Sequence, residues 1–333
     1  MTIKADRAIS VLAKFKSQRI LVVGDLMLDR YIYGSVSRIS PEAPVPVALV
    51  TGEKSMPGGA TNVAWNIQSL GAKAAVSGIL GKDHAALELK RVLKQGRVFT
   101  DGAMECPDIK TTVKMRVVAE RQQVVRVDWE DRVELTGEKL KAFCRLVQNE
   151  VKKSTGIIIE DYSKGVVGQH VVDTILQAAR KKRIPVGLDP KDNQTLKFAG
   201  ITVATPNRKE AYLSAGVPES RIHPEPLKDK ELLAVGRILL KKWSPELLLI
   251  TLGPQGMLLM PKHGAPRHVP TRAREVFDVS GAGDTVIATC VLAMAAGADD
   301  LEAAELANYA AGVVVGKLGT ATCTQEELLK YLS

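Results

Sequence analysis

Short, continuously apolar runs alternate with longer helix-like stretches along most of the 333 residues, and this rhythm constrains the fold more than any other feature. Arg19–Gly24 reads Arg-Ile-Leu-Val-Val-Gly, an unbroken β-branched run that suits a strand buried on both faces of a parallel sheet. Lys73–Ile79, Gly156–Ile159, Pro185–Leu188, Ile201–Ala204 and Leu247–Thr251 have the same character. Helical patterns occupy Gly59–Leu70, His84–Gln95, Val167–Lys182, Asn207–Ala215 and Lys230–Lys242. Gly71 follows the first of these as a helix terminator. Strand alternating with helix predicts an α/β protein, a mostly parallel central sheet with helices on both faces.

Two regions break the rhythm. Tyr31–Val50 carries Pro41, Pro44 and Pro46. Ile109–Asp128 alternates apolar and polar residues on either side of Glu120-Arg121-Gln122-Gln123, which predicts a hairpin. Together, about 31–50 and 109–128, they predict a small β-sheet inserted in one α/β domain spanning 1–333. Such a flap serves as a lid over a site, as a dimer contact, or as a surface hairpin without a role.

Composition narrows the class. Hydrophobic residues make up 45%, enough for a full core, and no apolar run is long enough to span a membrane. Met1–Arg19 is amphipathic and charged without a signal-peptide core, so a soluble cytoplasmic protein is expected. Cys106, Cys144, Cys290 and Cys323 lie far apart, which suggests buried thiols and neither zinc nor disulfides. The net charge of +9 admits nucleic acid or anionic small molecules as partners. Its basic clusters (Lys152-Lys153, Lys181-Lys182-Arg183, Lys241-Lys242) fall near expected helix ends, where cations complement the dipole. Aromatics at 4% are too few for a base-stacking platform, so nucleic acid is not expected.

The chemistry concentrates in Asp278-Val-Ser-Gly-Ala-Gly-Asp284, which opens an apolar helical run. A small-residue turn at a helix start aims free backbone amides at one point, and the macrodipole favours an anion there. A carboxylate in that anion site is locally costly. It becomes useful if Asp284 takes a proton from a hydroxyl while the amides of Gly281, Ala282 and Gly283 hold the phosphoryl group that the hydroxyl attacks. An acidic helix start after a glycine turn is the plainer reading.

Ligands of open α/β sheets sit beyond the carboxyl ends of the strands. After the first strand, Asp25 and Asp29 are acceptors suited to sugar hydroxyls. Equally, Asp25 could cap a turn and Asp29 pair with Arg30. Gly58-Gly59-Ala60-Thr61-Asn62 allows close backbone approach and offers an amide to a polyol. Asn207 and Glu210 share a helix face and could orient a hydrated Mg²⁺, or could form only a capping box. Thr251, Gly253 and Gly256 end a strand in a glycine turn. Asp161 and Lys164 close another on the same rim. There is neither a Gly-x-x-x-x-Gly-Lys-Ser/Thr cradle nor a Gly-x-Gly-x-x-Gly after the first strand.

With these motifs together, the chain resembles the ribokinase-like, or phosphofructokinase-B, sugar kinases over essentially its whole length. The resemblance implies a three-layer α/β/α sandwich with a β lid that often makes a homodimer interface. It also implies Asp284 as general base, the amides of Ala282, Gly283 and Asp284 as anion hole, and Asn207 and Glu210 at the phosphate–Mg²⁺ region. Thr251, Gly253, Gly256 and Asn308 would border ATP. Asp29, Gly59 and Asn62 would contact the sugar. Gly24–Tyr31, Arg38–Val47 and Asp161-Tyr162-Ser163-Lys164-Gly165 look like the D-glycero-β-D-manno-heptose 7-phosphate kinases, which phosphorylate the anomeric O1 for lipopolysaccharide heptose synthesis. The histidines show no His-x-Gly-His, the mark of the nucleotidyltransferase that many such relatives carry, so a kinase without adenylyl transfer is expected. The substrate's own phosphate would need cations, with Lys114, Arg116 and Arg126 on the hairpin, and Arg38, as candidates. A different sugar acceptor, or a non-catalytic sugar-phosphate binder, remains open at this point.

Overall fold

The computed structural model describes residues 3–120, 122–191, 196–273, 275–317 and 319–332. Its first helix, α1 (Ala5–Ala13), leads into β1 (Arg19–Gly24), where every residue after Arg19 is buried, as the unbroken apolar run predicts. The chain then leaves the core in β2 (Leu26–Ile39) and β3 (Pro46–Gly59) and returns through α2 (Ala60–Ser69), β4 (Lys73–Gly81), α3 (His84–Gln95) and β5 (Phe99–Cys106). It leaves again in β6 (Thr112–Ala119) and β7 (Gln122–Trp129). The remainder alternates: α4 (Gly137–Lys153), β8 (Gly156–Glu160), α5 (Gln169–Lys182), β9 (Val186–Asp189), β10 (Val203–Ala204), α6 (Arg208–Ala215), α7 (Lys230–Trp243) and β11 (Leu247–Thr251). An antiparallel pair, β12 (Met257–Pro261) and β13 (Arg267–Val269), precedes α8 (Ala282–Ala295), α9 (Asp300–Val315) and α10 (Gln325–Leu332).

The nine strands of the main sheet run in the order β13-β12-β11-β10-β9-β8-β1-β4-β5, parallel from β11 to β5. Successive strand residues serve opposite faces. Ile20, Val22 and Ile158 pack with α1, α2, α8 and α9, whereas Leu21, Val23, Ile157 and Ile159 pack with α4, α5 and α7. Both faces are therefore apolar and covered, giving the expected three layers. The basic cluster Lys181-Lys182-Arg183 does end a helix, and Lys182 also donates to the carbonyls of Val151, Lys152 and Ser154 at the end of α4.

A second sheet, ordered β3-β2-β6-β7, is the inserted flap, termed the lid for its place against the site cavity. It is larger than the expected 31–50 and 109–128. β2 begins one residue beyond Asp25 and β3 runs into Gly59, so the long β2–β3 ribbon connects the lid directly to the core. The prolines of the first segment interrupt nothing, because Pro41 and Pro44 lie in the connecting loop and Pro46 starts β3. The predicted hairpin is present as β6 and β7; Arg121, in its turn, lies outside the described residues. β5 carries little sequence signal, since it is an edge strand with mixed burial.

Candidate active site

The carboxyl ends of β8, β9, β10 and β11, the lid and the start of α8 converge on one cavity of about 390 Å³. Gly281 caps α8 with φ +79°, a left-handed conformation that side chains resist. The first i→i−4 bond of α8 runs from Thr285 N–H to the Gly281 carbonyl at 3.0 Å. The amides of Gly283 and Asp284 precede it and keep their donors for a ligand. The third expected donor differs: Ala282 N–H donates to the Val279 carbonyl at 3.2 Å, because the turn tightens there.

Asp284 is 7% exposed and lines the cavity. Asn62 Nδ2 donates to its Oδ2 at 2.5 Å, and the Tyr162 hydroxyl donates to its Oδ1 at 3.3 Å. Burial pushes its pKa up to about 6, against the pull of Asn62, the Lys191 charge and Tyr162. The group is thus an anion at neutral pH and a better base than a solvated aspartate. Beneath it lie Glu160 and Asp189, with carboxylate oxygens of all three within 4.8 Å of one another. Burial first, then the charges of Asp189 and Asp284, hold Glu160 well above the usual carboxylate range. Burial likewise raises Asp189 to about 7, opposed by Lys191.

Gly59, Asn62, Asp29, Lys114, Arg116 and Arg126 line the same cavity from the lid side. Asp29 pairs with Arg116 at 2.8 Å and not with Arg30, which reaches Glu88 instead. Gly58 is not at the cavity surface; its Cα faces the Asp29 carboxylate so closely that a Cβ would lie 2.8 Å from Cγ. Lys114 and Arg126 each reach Asp128 at 3.0 Å, and Arg116 also lies over the Tyr31 ring. Arg38, near the tip of β2, is not among the lining residues.

Three expected substrate contacts face elsewhere. Asp25 is 2% exposed and accepts the backbone N–H groups of Tyr162, Lys164 and Val166, so it caps a turn, one of the two readings its sequence allowed. Asp161 turns back onto the Ser163 N–H. Lys164 pairs with Glu130 at 2.6 Å. None of the three borders the cavity. Their motif instead presents Tyr162, an uncharged member that charge-led reading passes over. Lys191 was missed as well; it lies two residues past β9, on the rim where strand ends gather.

On the other side stand Thr205, Asn207, Glu210 and Thr251. Asn207 and Glu210 do form a full capping box, yet both also border the cavity. Thr251 and Gly283 are shared with a second, mostly apolar cavity of about 190 Å³, lined by Gly253, Gly256, Ala282, Asn308, Val276, Val279 and Val315. The amide of Asn308 donates to the Pro270 carbonyl at 2.7 Å. An apolar slot thus adjoins, at the N-terminus of α8, a polar chamber lined by Asp284.

The pfkB carbohydrate kinase family matches residues 17–327. This chain belongs to that family. The kinase is 43% identical over 322 residues to bifunctional protein HldE of Vibrio atlanticus (strain LGP32), covering 97% of this chain and 65% of the relative. It is 44% identical over 317 residues to HldE of Pseudomonas paraeruginosa (strain DSM 24068 / PA7), covering 95% of this chain and 64% of the relative. The chain therefore spans just under two thirds of these relatives. Its fold matches Arabidopsis thaliana ribokinase complexed with ribose and ATP at TM-score 0.71 and 19% identity, over 95% of this chain and 98% of that one. It matches phosphofructokinase-2 from Escherichia coli in complex with potassium at TM-score 0.76 and 19% identity, again over 95% and 98%. The fold is ribokinase-like, and membership of a carbohydrate kinase family supports a phosphotransferase acting on a sugar hydroxyl. Among its described residues, no helix is long and apolar enough to cross a membrane.

Proposed function

We propose that this kinase transfers the γ-phosphoryl group of ATP to the anomeric O1 of D-glycero-β-D-manno-heptose 7-phosphate, giving the 1,7-bisphosphate used to build lipopolysaccharide heptose. One observation carries the reading: a buried base, Asp284, shares a cavity with three lid cations, Lys114, Arg116 and Arg126. An acceptor that already bears a phosphate matches that pairing of base and cations, and an uncharged sugar does not. Asp29 and Asn62 would take the sugar hydroxyls beside the base. The adenosine of ATP would occupy the apolar slot at Gly253, Gly256 and Asn308, with its phosphates running past Thr251 to the amides of Gly283 and Asp284.

The reaction needs few moving parts. Asp284 accepts the hydroxyl proton through whichever oxygen faces the sugar, while Asn62 and Tyr162 hold the carboxylate in place. The two α8 amides stabilise charge on the migrating group. Closing the lid excludes water that would otherwise accept the phosphoryl. Glu210 fits an outer-sphere role toward Mg²⁺. Its Oε1 accepts from Lys191 at 2.9 Å and its Oε2 from the Asn207 N–H at 2.8 Å, leaving lone pairs for a metal-bound water. Bound with ATP, Mg²⁺ would supply charge neutralisation of the phosphates.

The lid also suits a homodimer contact, since its sheet exposes Tyr33, Leu49, Val50, Val125 and Trp129. A cytoplasmic setting, where ATP and phosphosugars are found, accords with this chemistry. The test compares heptose 7-phosphate with unphosphorylated sugars, following ADP release and assigning the product by phosphorus NMR. Faster turnover of an unphosphorylated sugar would reject the acceptor.

A further inference from the structure

We infer that Lys191 is a catalytic residue of this kinase, the cation that meets the phosphoryl group in flight. The inference deepens the proposed reaction and rests on it. Lys191 follows β9 at the carboxyl end of the parallel sheet and borders the cavity between Asp284 and Gly283 on one side and Asn207 and Glu210 on the other. The other basic lining residues described, Lys114, Arg116 and Arg126, all come from the lid strands β6 and β7. Lys191 is thus the one lysine or arginine that the α/β body contributes to this cavity among its described residues.

Among the contacts of its described neighbours, two place the ammonium between Glu210 and Tyr162. Nζ lies 2.9 Å from Oε1 of Glu210, in the nucleotide-side capping box. It also lies 4.9 Å from the centroid of the Tyr162 ring, whose hydroxyl meets Asp284. The ammonium thus borders the cavity that also holds Asp284 and Gly283, where the proposed transfer takes place. Burial works against its charge, but Asp189 and Glu210 outweigh burial and keep it protonated.

The chemistry then balances. The sugar oxygen bonds to the γ-phosphorus, and the bond from phosphorus to the β–γ bridging oxygen breaks. Its electron pair leaves with ADP, and the hydroxyl proton passes to Asp284. Lys191 keeps its protons and donates hydrogen bonds to the equatorial oxygens, where charge spreads in the transition state. A cation held by Glu210 and an aromatic face is already in position and needs little reorganisation at that moment.

Three variants test this: Lys191→Met, Lys191→Arg and Asp284→Asn, assayed with ATP and heptose 7-phosphate. ADP binding is measured with and without aluminium fluoride in the presence of the sugar. Lys191→Met is expected to lower kcat by about 10²–10³, as for loss of one transition-state donor, with each KM within about fivefold of the parent. It should bind ADP normally but lose the gain that aluminium fluoride gives the parent. Lys191→Arg should recover part of both. Parent-like kcat in Lys191→Met, or equal loss of ADP affinity and thermal stability, overturns the role. If the unaltered enzyme ignores the sugar phosphate, the acceptor assignment fails and this inference with it. If Asp284→Asn is inert and Lys191→Met fully active, only the Lys191 role fails.

Discussion

The Asn62 side-chain amide donates to Oδ2 of Asp284 at 2.5 Å, joining the first turn of α2 to the first turn of α8 across 222 residues of chain. The contact orients the Asp284 carboxylate and lowers its pKa, and so ties the two glycine-rich motifs together.

Asn62→Ala removes a hydrogen bond to a buried charge, an interaction of about 1.5–3 kcal/mol. We expect turnover to fall by roughly tenfold or more, with ATP affinity kept. The pKa of Asp284 should rise, moving the acid limb of kcat to higher pH. An unmoved limb would detach Asn62 from the base.

In the unaltered enzyme that acid limb should lie near the Asp284 value of about 6, with activity lost as pH falls through it and the base takes up a proton. Tyr162→Phe removes a second group that holds the pKa down, so its limb should lie higher. A pH–rate profile of kcat for both proteins checks the order.

Asp284→Asn should cut turnover by about 10²–10⁴ while ADP still binds. It should also stabilise the fold. The folded-state pKa stands above the unfolded value, so the folded state holds the extra proton between the ordinary 3.8 and about 6 and loses stability as pH rises through that window. Removing the charge should recover on the order of 2 kcal/mol at pH 8 and much less at pH 4. Thermal melts at the two pH values give the comparison, and equal shifts would contradict it.

Lys114→Ala combined with Arg126→Ala should raise KM for the phosphosugar by more than about tenfold and leave that for ATP nearly unchanged. Arg116→Ala should do more than weaken the sugar, because it strands the buried Asp29 carboxylate without its partner at 2.8 Å. Lower thermal stability in that variant alone separates the two effects.

Asp25→Ala should behave oppositely to Asp284→Asn. It leaves three backbone amides without their acceptor, a loss on the order of 3 kcal/mol of stability. The folded fraction should retain near-normal KM values, since Asp25 does not border the cavity. A selective rise in the sugar KM would restore it to the site.

The strands, the helices of the α/β body and the glycine turn that starts α8 were legible because each rests on a local pattern. A short continuous apolar run bounded by turn residues suits a doubly covered strand, and a small-residue turn before a helix leaves some of its first amides without intrahelical partners. β5 was not legible, because an edge strand with mixed burial has no such pattern. Asp25 and Asp29 are chemically alike and four residues apart, yet one is consumed by the loop after β8 and the other enters the cavity beside Arg116.

The sequence alone therefore determined the layers and the family's motifs, and it singled out Asp284 as the candidate base. Only the tertiary structure decided which carboxylates and cations meet it. Tyr162, Lys191, Asn62 and Asp284 come from four separate segments, and nothing local to any of them specifies the others. Their convergence follows from parallel strands ending on one rim beneath the lid, where burial and proximity, not residue type, assign each charge its role.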